Sequence, residues 1–262
     1  ATSTGVSIGG AIGSLAFSLW GPAGPGILAA SLCVLNVAFA WRYLPESRPD
    51  HAHQAPKRSI RAAVWHVISH PAAPAPRLIW IYAVGMGAFT AMTAVVALYL
   101  KYRFGINERT IGPVFLYIGA LSVIMRALVL GWLVDRIGET RVMRLGALLL
   151  VAGLALYPLP ATLWTAAVVF ALVPIGTALL FPSVTALASH RADPKELGQT
   201  MGVQQSFGGV ARVIAPLWAT AAFQFLGPGS PFFIAAGIMA VVSLLAFQVP
   251  HAAIRAEPAP AD

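Results

Sequence analysis

Charged residues are scarce in this 262-residue sequence, making up 10% of it, whereas 58% of the residues are hydrophobic. Soluble domains carry about 25% charged and about 45–50% apolar residues, so a water-soluble globular protein is excluded. Cysteine is nearly absent, since Cys33 is the only one and lies inside an apolar run. No disulfide framework or cysteine-based metal site can therefore be assembled. The class that remains is an integral membrane protein.

Acidic residues are the rarest charged group, with nine against seventeen Lys and Arg. All nine lie in loops, tails or helix ends, and no histidine lies within a long apolar run. The sequence thus has no intramembrane carboxylate for a proton relay and no base or metal ligand at depth for a membrane-embedded hydrolase. We predict no enzymatic activity, no cofactor and no metal site.

The net charge of +8 would suit nucleic-acid binding only if the basic residues formed one solvated patch. They instead lie in short loops at the ends of apolar runs, as the positive-inside rule requires. With the loop at Asp135 in the cytoplasm, twelve Lys and Arg lie inside and three outside. We predict no nucleic-acid partner, a multi-pass protein of the inner (plasma) membrane, and a cytoplasmic linker and C-terminus.

Apolar runs of about 20 residues are long enough to cross a membrane as helices, and eight can be placed. The first is partial, because the chain opens inside a Gly-rich apolar run without a signal peptide. A separate segment, residues 58–70, has apolar side chains on one helical face and predicts a short helix on the membrane surface. The predicted spans are residues 1–17, 22–43, 78–100, 110–134, 142–158, 162–189, 197–226 and a last span ending near Pro250.

Residues 16–30 share a pattern with residues 222–236 at a constant offset of 206. Ala16-Phe17, Gly21-Pro22, Pro25 and Ala29-Ala30 recur there, so the first two spans duplicate the last two. A repeat would then hold six helices, and we expect four further helices before Ala1. We interpret residues 1–43 as the end of an N-terminal half, 44–76 as a cytoplasmic linker, 77–250 as a complete six-helix half, and 251–262 as a cytoplasmic tail.

The loop Gly131-x-x-x-Asp135-Arg136-x-Gly138-x-x-Arg141 resembles the signature loop of the major facilitator superfamily, in its second-half copy. Thr140 stands where that family usually has a basic residue. The resemblance implies an all-α fold of twelve helices, of which this chain carries about eight, in two halves around a midplane cavity. We therefore predict Gly131, Asp135, Arg136, Gly138 and Arg141 to be gating residues. Gly131 would allow close helix approach, Gly138 would make a left-handed turn, and Asp135 would pair with a nearby arginine or face a neighbouring helix N-terminus.

Two further segments resemble the tetracycline and multidrug efflux branch of that family: Phe181-Pro-Ser, and residues 198–217, which include Gly198-Gln-Thr-Met-Gly202. This resemblance implies an antiporter that exports small, lipophilic, drug-like solutes and confers antibiotic resistance. The energy source would be the proton gradient, and the proton-carrying acids would lie in the first half. The predicted partners are a small-molecule substrate, the lipid bilayer and the missing N-terminal helices.

Two arginines lie within predicted spans, where an arginine costs about 2.5 kcal/mol or more. Arg126 would face a wet cavity as a charge that binds an anionic group or tunes protonation, or it would instead form an internal pair or a brace to a helix carbonyl. Arg212 shares a predicted stripe with Gln204 and Gly208. The candidate substrate-pathway residues are Arg126, Gln204, Gln205, Arg212, Phe89, Thr93 and Tyr117, although packing alone would also explain the last three.

Three functions remain open on the sequence alone. The first is proton-coupled efflux of lipophilic solutes. The second is exchange or import of a small organic anion, with Arg126 and Arg212 as binding charges. The third is a membrane scaffold or receptor without transport activity. In the first two cases we expect the 262-residue chain to transport nothing by itself.

Overall fold

The computed structural model describes residues 16, 19–43, 59–106, 110–192 and 196–247, and these contain helices and turns but no strand. The prediction of an all-α membrane protein is confirmed. The helices are α1 (Gly24–Tyr43), α2 (Ile60–Ser69), α3 (Pro74–Phe104), α4 (Gly112–Ile124), α5 (Leu130–Ile137), α6 (Glu139–Leu156), α7 (Leu163–Arg191), α8 (Leu197–Phe225) and α9 (Ser230–Phe247).

Six helices in the described part of the chain are long and apolar enough to cross a membrane, and α4 and α5 form one of these, Gly112–Ile137. The predicted spans beginning at residues 22, 78, 110, 162 and 197 each correspond to one of them. The predicted fifth span corresponds to α6, which is not one of these six helices. The first two turns of α6 carry three charged residues. The predicted partial first span lies outside the described residues, except for Ala16.

The chain divides into two compact units, residues 1–57 and residues 58–262. In the second unit, α3 packs against α7, α8 and α9, while α6 packs mainly along α7 and α9. The helices α4 and α5 contribute no buried residue, and their main neighbour outside their own span is α7. One long helical face beside α7 is therefore left open in this unit.

A close helix crossing joins α6 to α7 at two glycines. A Cβ atom added to Gly146 would lie 2.6 Å from the backbone nitrogen of Leu180, and one added to Gly176 would lie 2.7 Å from that of Leu150. The two backbones are in contact here because neither helix presents a side chain, as is common between membrane helices.

Aromatic rings fill the end of the bundle where α3 and α6 finish. The ring of Tyr157 is stacked between those of Phe170 and Phe232, with centroid distances of 4.0 and 4.7 Å. Tyr99 meets both Tyr157 and Phe232 edge-on, and its hydroxyl donates to the carbonyl of Pro158 at 3.1 Å. The cluster thus ties α3, α6, α7 and α9 together.

The internal repeat extends to backbone conformation. Gly21 and Gly227, which are 206 residues apart, both have positive φ angles, of +68° and +102°. The helices after these turns begin at Gly24 and Ser230, at the same offset. Such angles favour glycine, so both Gly-Pro pairs place a glycine where the chain turns before α1 and α9.

The predicted surface helix is α2. Val67 is its buried residue, and the indole nitrogen of Trp80 in α3 donates a hydrogen bond to the Val67 carbonyl at 3.0 Å. Ile60 and Trp65 are 71% and 68% exposed. A short helix that is fixed by one face and exposes large apolar side chains on another suits a position in the membrane interface.

Candidate functional site

The predicted gating loop joins α5 to α6 through a single residue, Gly138. Its φ of +82° and ψ of 152° lie in a region that is essentially restricted to glycine. The prediction that this residue has a positive φ is confirmed, although the left-handed helical turn is not formed. The other four residues that we predicted for gating sit around this joint.

These gating residues are largely solvent-facing. Asp135, Arg136 and Arg141 are exposed, and the guanidinium of Arg136 stacks on the Trp132 ring at 4.9 Å. Within the described residues, no cation forms an ion pair with Asp135. A Cβ atom added to Gly131 would meet no atom within 4 Å, so no helix among the described residues approaches Gly131 closely, and the predicted approach stays a prediction.

The charged contacts that do form at this end involve residues that we did not predict. Arg144 donates from Nε to the carbonyl of Ala246 at 3.1 Å, and from an Nη to that of Phe247 at 2.9 Å. These carbonyls belong to the last turn of α9, where backbone acceptors lack helical partners. Glu139 meets the ring of His190 at 3.3 Å. The Arg144 hydrogen bonds therefore connect the first turns of α6 to the end of α9, and the Glu139–His190 contact connects them to the end of α7. These two connections are called clasps below.

Arg126 lies in a π-helical turn, Met125–Val129, between α4 and α5, where the amide of Leu130 bonds to the carbonyl of Met125. The extra residue in this turn rotates the rest of the helix, so α-helical spacing does not give the angle between Arg126 and the residues of α5. The Nε atom of Arg126 is buried and has no hydrogen-bond partner among the described residues. The internal pair that we considered for Arg126 is not formed among the described residues.

The polar residues of α8 divide between two faces. Gln204 is buried, and its amide nitrogen donates to the hydroxyl of Thr185 in α7 at 3.1 Å. Gly208 is also buried, while Arg212 is exposed. Within the predicted stripe, Gln204 and Gly208 are buried, whereas Arg212, about 80° further round the helix than Gln204, is exposed.

The exposed polar face of α8 instead carries Gln205 and Arg212, which are seven residues apart and lie on one side of the helix. The hydroxyl of Tyr82 in α3 donates to the side-chain oxygen of Gln205 at 3.3 Å. Tyr82 also fills the space above Gly208, where an added Cβ atom would lie 2.7 Å from its ring. Tyr82 was missed because no local pattern marks it.

The aromatic and hydroxyl candidates are spread over two helices. Phe89 is half-buried and packs edge-on against Phe181, as does Tyr82. Thr93 is exposed and bonds to the carbonyl of Thr90 in its own helix. Tyr117 is 42% exposed and donates to the carbonyl of Ala167 in α7 at 3.1 Å.

Arg126 and Arg212 lie on two elements that each contact α7 and are not packed extensively against each other. In the described part of the chain, no carboxylate lies within ion-pair distance of either arginine. The six candidate spans contain a single acid, Asp135, which lies near the end of its span. The described spans therefore carry two cations with no acid beside them, Arg126 in the π-helical turn and Arg212 in α8.

Comparison with known proteins gives consistent results. The sequence profile described as Major Facilitator Superfamily matches residues 1–129 and 127–261. An uncharacterized MFS-type transporter of Mycobacterium tuberculosis is 27% identical over 161 residues, which are 61% of this chain and 38% of that protein. Major facilitator superfamily domain-containing protein 10 of Mus musculus is 24% identical, over 96% of this chain and 60% of that protein.

Among solved structures, the human organic anion transporter MFSD10 (TETRAN) superposes with a TM-score of 0.72 at 21% identity. The match covers 93% of this chain and 63% of that one. The chain therefore spans less than two thirds of the length of these relatives. Because the family and its structural neighbours are transporters, the comparisons point to transport and not to catalysis.

Proposed function

The chain belongs to the major facilitator superfamily, and from that premise we propose that it forms the C-terminal part of a secondary transporter for a small organic anion. The predicted organisation supports this role, with residues 77–250 as one six-helix half and residues 1–43 as the end of the other. Substrate would cross by alternating access of the two halves. The protein would lie in the inner membrane, with its linker and tail in the cytoplasm.

The observation that carries the proposal is that Arg126 lies within a candidate span with a buried Nε atom that has no hydrogen-bond partner among the described residues. A guanidinium inside a membrane span is costly unless it is paired or hydrated. Planar N–H donors match a carboxylate or phosphate in a two-pronged arrangement. An anionic substrate group would satisfy Arg126, and the π-helical turn that carries the residue is of a kind often found at functional sites.

Arg212 supplies a second cation for the same chemistry. It is exposed on the face of α8 that also presents Gln205, whose amide can bond to a polar part of the substrate. An organic cation would find no counter-charge deep in the six candidate spans, whose single acid lies near a span end. The charge pattern therefore favours an anion, and the structural similarity to a human organic anion transporter supports the same substrate class.

Proton-coupled drug efflux remains the second candidate, favoured by the aromatic cluster of Tyr82, Phe89 and Phe181. Flat apolar solutes bind well against such rings. Proton coupling would then depend on acids outside the six described spans. In both functions Asp135 and its neighbouring arginines would act as a gate at the cytoplasmic ends of the helices.

The experiment compares uptake of an organic carboxylate into proteoliposomes that contain the whole transporter, as wild type and with Arg126→Gln. We expect the substitution to lower uptake by about tenfold to a hundredfold, the loss of about 1.5–3 kcal/mol from a hydrogen bond to a charged group. Lys101→Gln is the control, because Lys101 is exposed near the C-terminal end of α3 and belongs neither to the gate nor to the candidate substrate pathway. Equal uptake by the two variants would reject the anion proposal, and tetracycline or dye export retained by both would favour drug efflux.

A further inference from the structure

An apolar groove of about 620 Å³ lies between α3, α8 and α9 and ends against α2. Its walls include Val64 and Ile68 of α2, Trp80 and Val84 of α3, and Val210 and Trp218 of α8. None of the residues assigned to the gate or the substrate pathway lines it. The groove is therefore separate from the candidate transport site.

The lining suits a hydrocarbon chain. Apart from the two indoles, Ser206 is the one polar side chain among the described lining residues, and its hydroxyl donates to the carbonyl of Gly202 within α8. From Ser206 to Trp218 the groove follows α8 for twelve residues, or roughly 18 Å at about 1.5 Å per residue. This length is close to one leaflet of a hydrocarbon core that is about 30 Å thick.

The end of the groove at α2 is basic and interfacial. Arg61 is exposed and lies three and seven residues before Val64 and Ile68, so the three share one side of the helix. Trp65 is exposed beside them, as tryptophans at membrane interfaces commonly are. Because α2 is fixed to α3 through the Trp80–Val67 bond, Arg61 is carried about one helical turn before Val64, which lines the groove.

We propose that this groove binds an anionic phospholipid, with one acyl chain along α8 and the headgroup phosphate at Arg61. Charge supports an anionic headgroup over a zwitterionic one. Among the described residues of α2, α3 and α8 and their ends, Glu196 is the only acid. It lies on the other side of α2, in a separate pocket with His66 and Arg191. Basic surfaces next to membrane helices attract anionic lipid in this way.

The test is native mass spectrometry of the purified chain, titrated with phosphatidylglycerol or phosphatidylcholine of identical acyl chains. We expect the wild type to retain phosphatidylglycerol at concentrations at least tenfold lower than phosphatidylcholine. Val210→Trp should weaken retention of both, because the indole obstructs the groove where the acyl chain would lie. Its matched control is Val168→Trp, at a residue of α7 that is 72% exposed and outside the groove. Arg61→Ala should remove the headgroup preference, whereas Arg141→Ala should keep it.

Four results would overturn the proposal. Equal retention of the two lipids by the wild type would remove the role of the headgroup, and this measurement needs no folded variant. Equal retention by Val210→Trp and Val168→Trp would place the lipid elsewhere, and an unchanged preference in Arg61→Ala would reject the headgroup site. A lipid-free dimer that Val210→Trp dissociates would put a second copy of the chain in the groove.

Discussion

The crossing of α6 and α7 makes a prediction whose size can be worked out from the structure. In Gly146→Ala the new Cβ atom would lie 2.6 Å from the backbone nitrogen of Leu180 and 2.9 Å from the carbonyl oxygen of Gly176. Both neighbours are backbone atoms, so the helices themselves must separate by several tenths of an ångström. Overpacking of this kind costs about 1–3 kcal/mol.

The same substitution also has a favourable effect, because alanine in a helix is more stable than glycine by about 0.5–1 kcal/mol. The control Gly131→Ala isolates this effect, since a Cβ atom there would meet no atom within 4 Å. We expect Gly131→Ala to be neutral or stabilising and Gly146→Ala to be destabilising relative to it by about 1–3 kcal/mol.

The assay is thermal unfolding of the two purified variants in the same detergent, followed by tryptophan fluorescence. A lower melting temperature for Gly146→Ala than for Gly131→Ala is the expected result. The double variant with Gly176→Ala should lose less than the sum of the single losses, because one separation of the helices accommodates both methyl groups. Equal melting temperatures for Gly146→Ala and Gly131→Ala would refute the close crossing.

Three further predictions concern the bundle ends. Arg144→Ala should lower stability by about 1–3 kcal/mol through loss of its bonds to the end of α9, measured by thermal unfolding; an unchanged melting temperature would reject the clasp. Tyr157→Phe should keep or raise stability, because the buried hydroxyl lacks a partner among the described residues, whereas Tyr157→Ala should cost about 3–5 kcal/mol; a clear loss in Tyr157→Phe would contradict this. Asp135→Asn should slow transport by the whole protein in an uptake assay, and an unchanged rate would exclude the gate.

The features that could be predicted from the sequence depend on local chemistry. Long apolar runs place the helices, and the described spans begin within a few residues of the predicted ones. The apolar residues that recur at helical spacing near Val67 predict α2. The glycine at position 138 predicts the positive φ between α5 and α6. Each of these depends on the residues within one or two turns, since backbone hydrogen bonds and side-chain direction are set at that range.

The features that were missed depend on packing between distant segments. Arg144 meets α9 about a hundred residues later in the chain, and nothing in its own turn indicates that partner. The burial of Gly208 was missed because helical spacing alone does not show that Tyr82 covers it. The π-helical turn at Arg126 was also unpredicted, although its arginine was identified from the cost of placing a cation in a membrane.

The central claim is that Arg126 recognises an anionic substrate group, and its most direct test is a ratio. Uptake of an organic carboxylate and of its uncharged carboxamide should be measured in parallel, in the wild-type transporter and in Arg126→Gln. The account predicts a wild-type preference for the carboxylate that falls at least tenfold in the variant, while carboxamide uptake stays within twofold. An unchanged ratio, or an equal loss of both substrates, would contradict it.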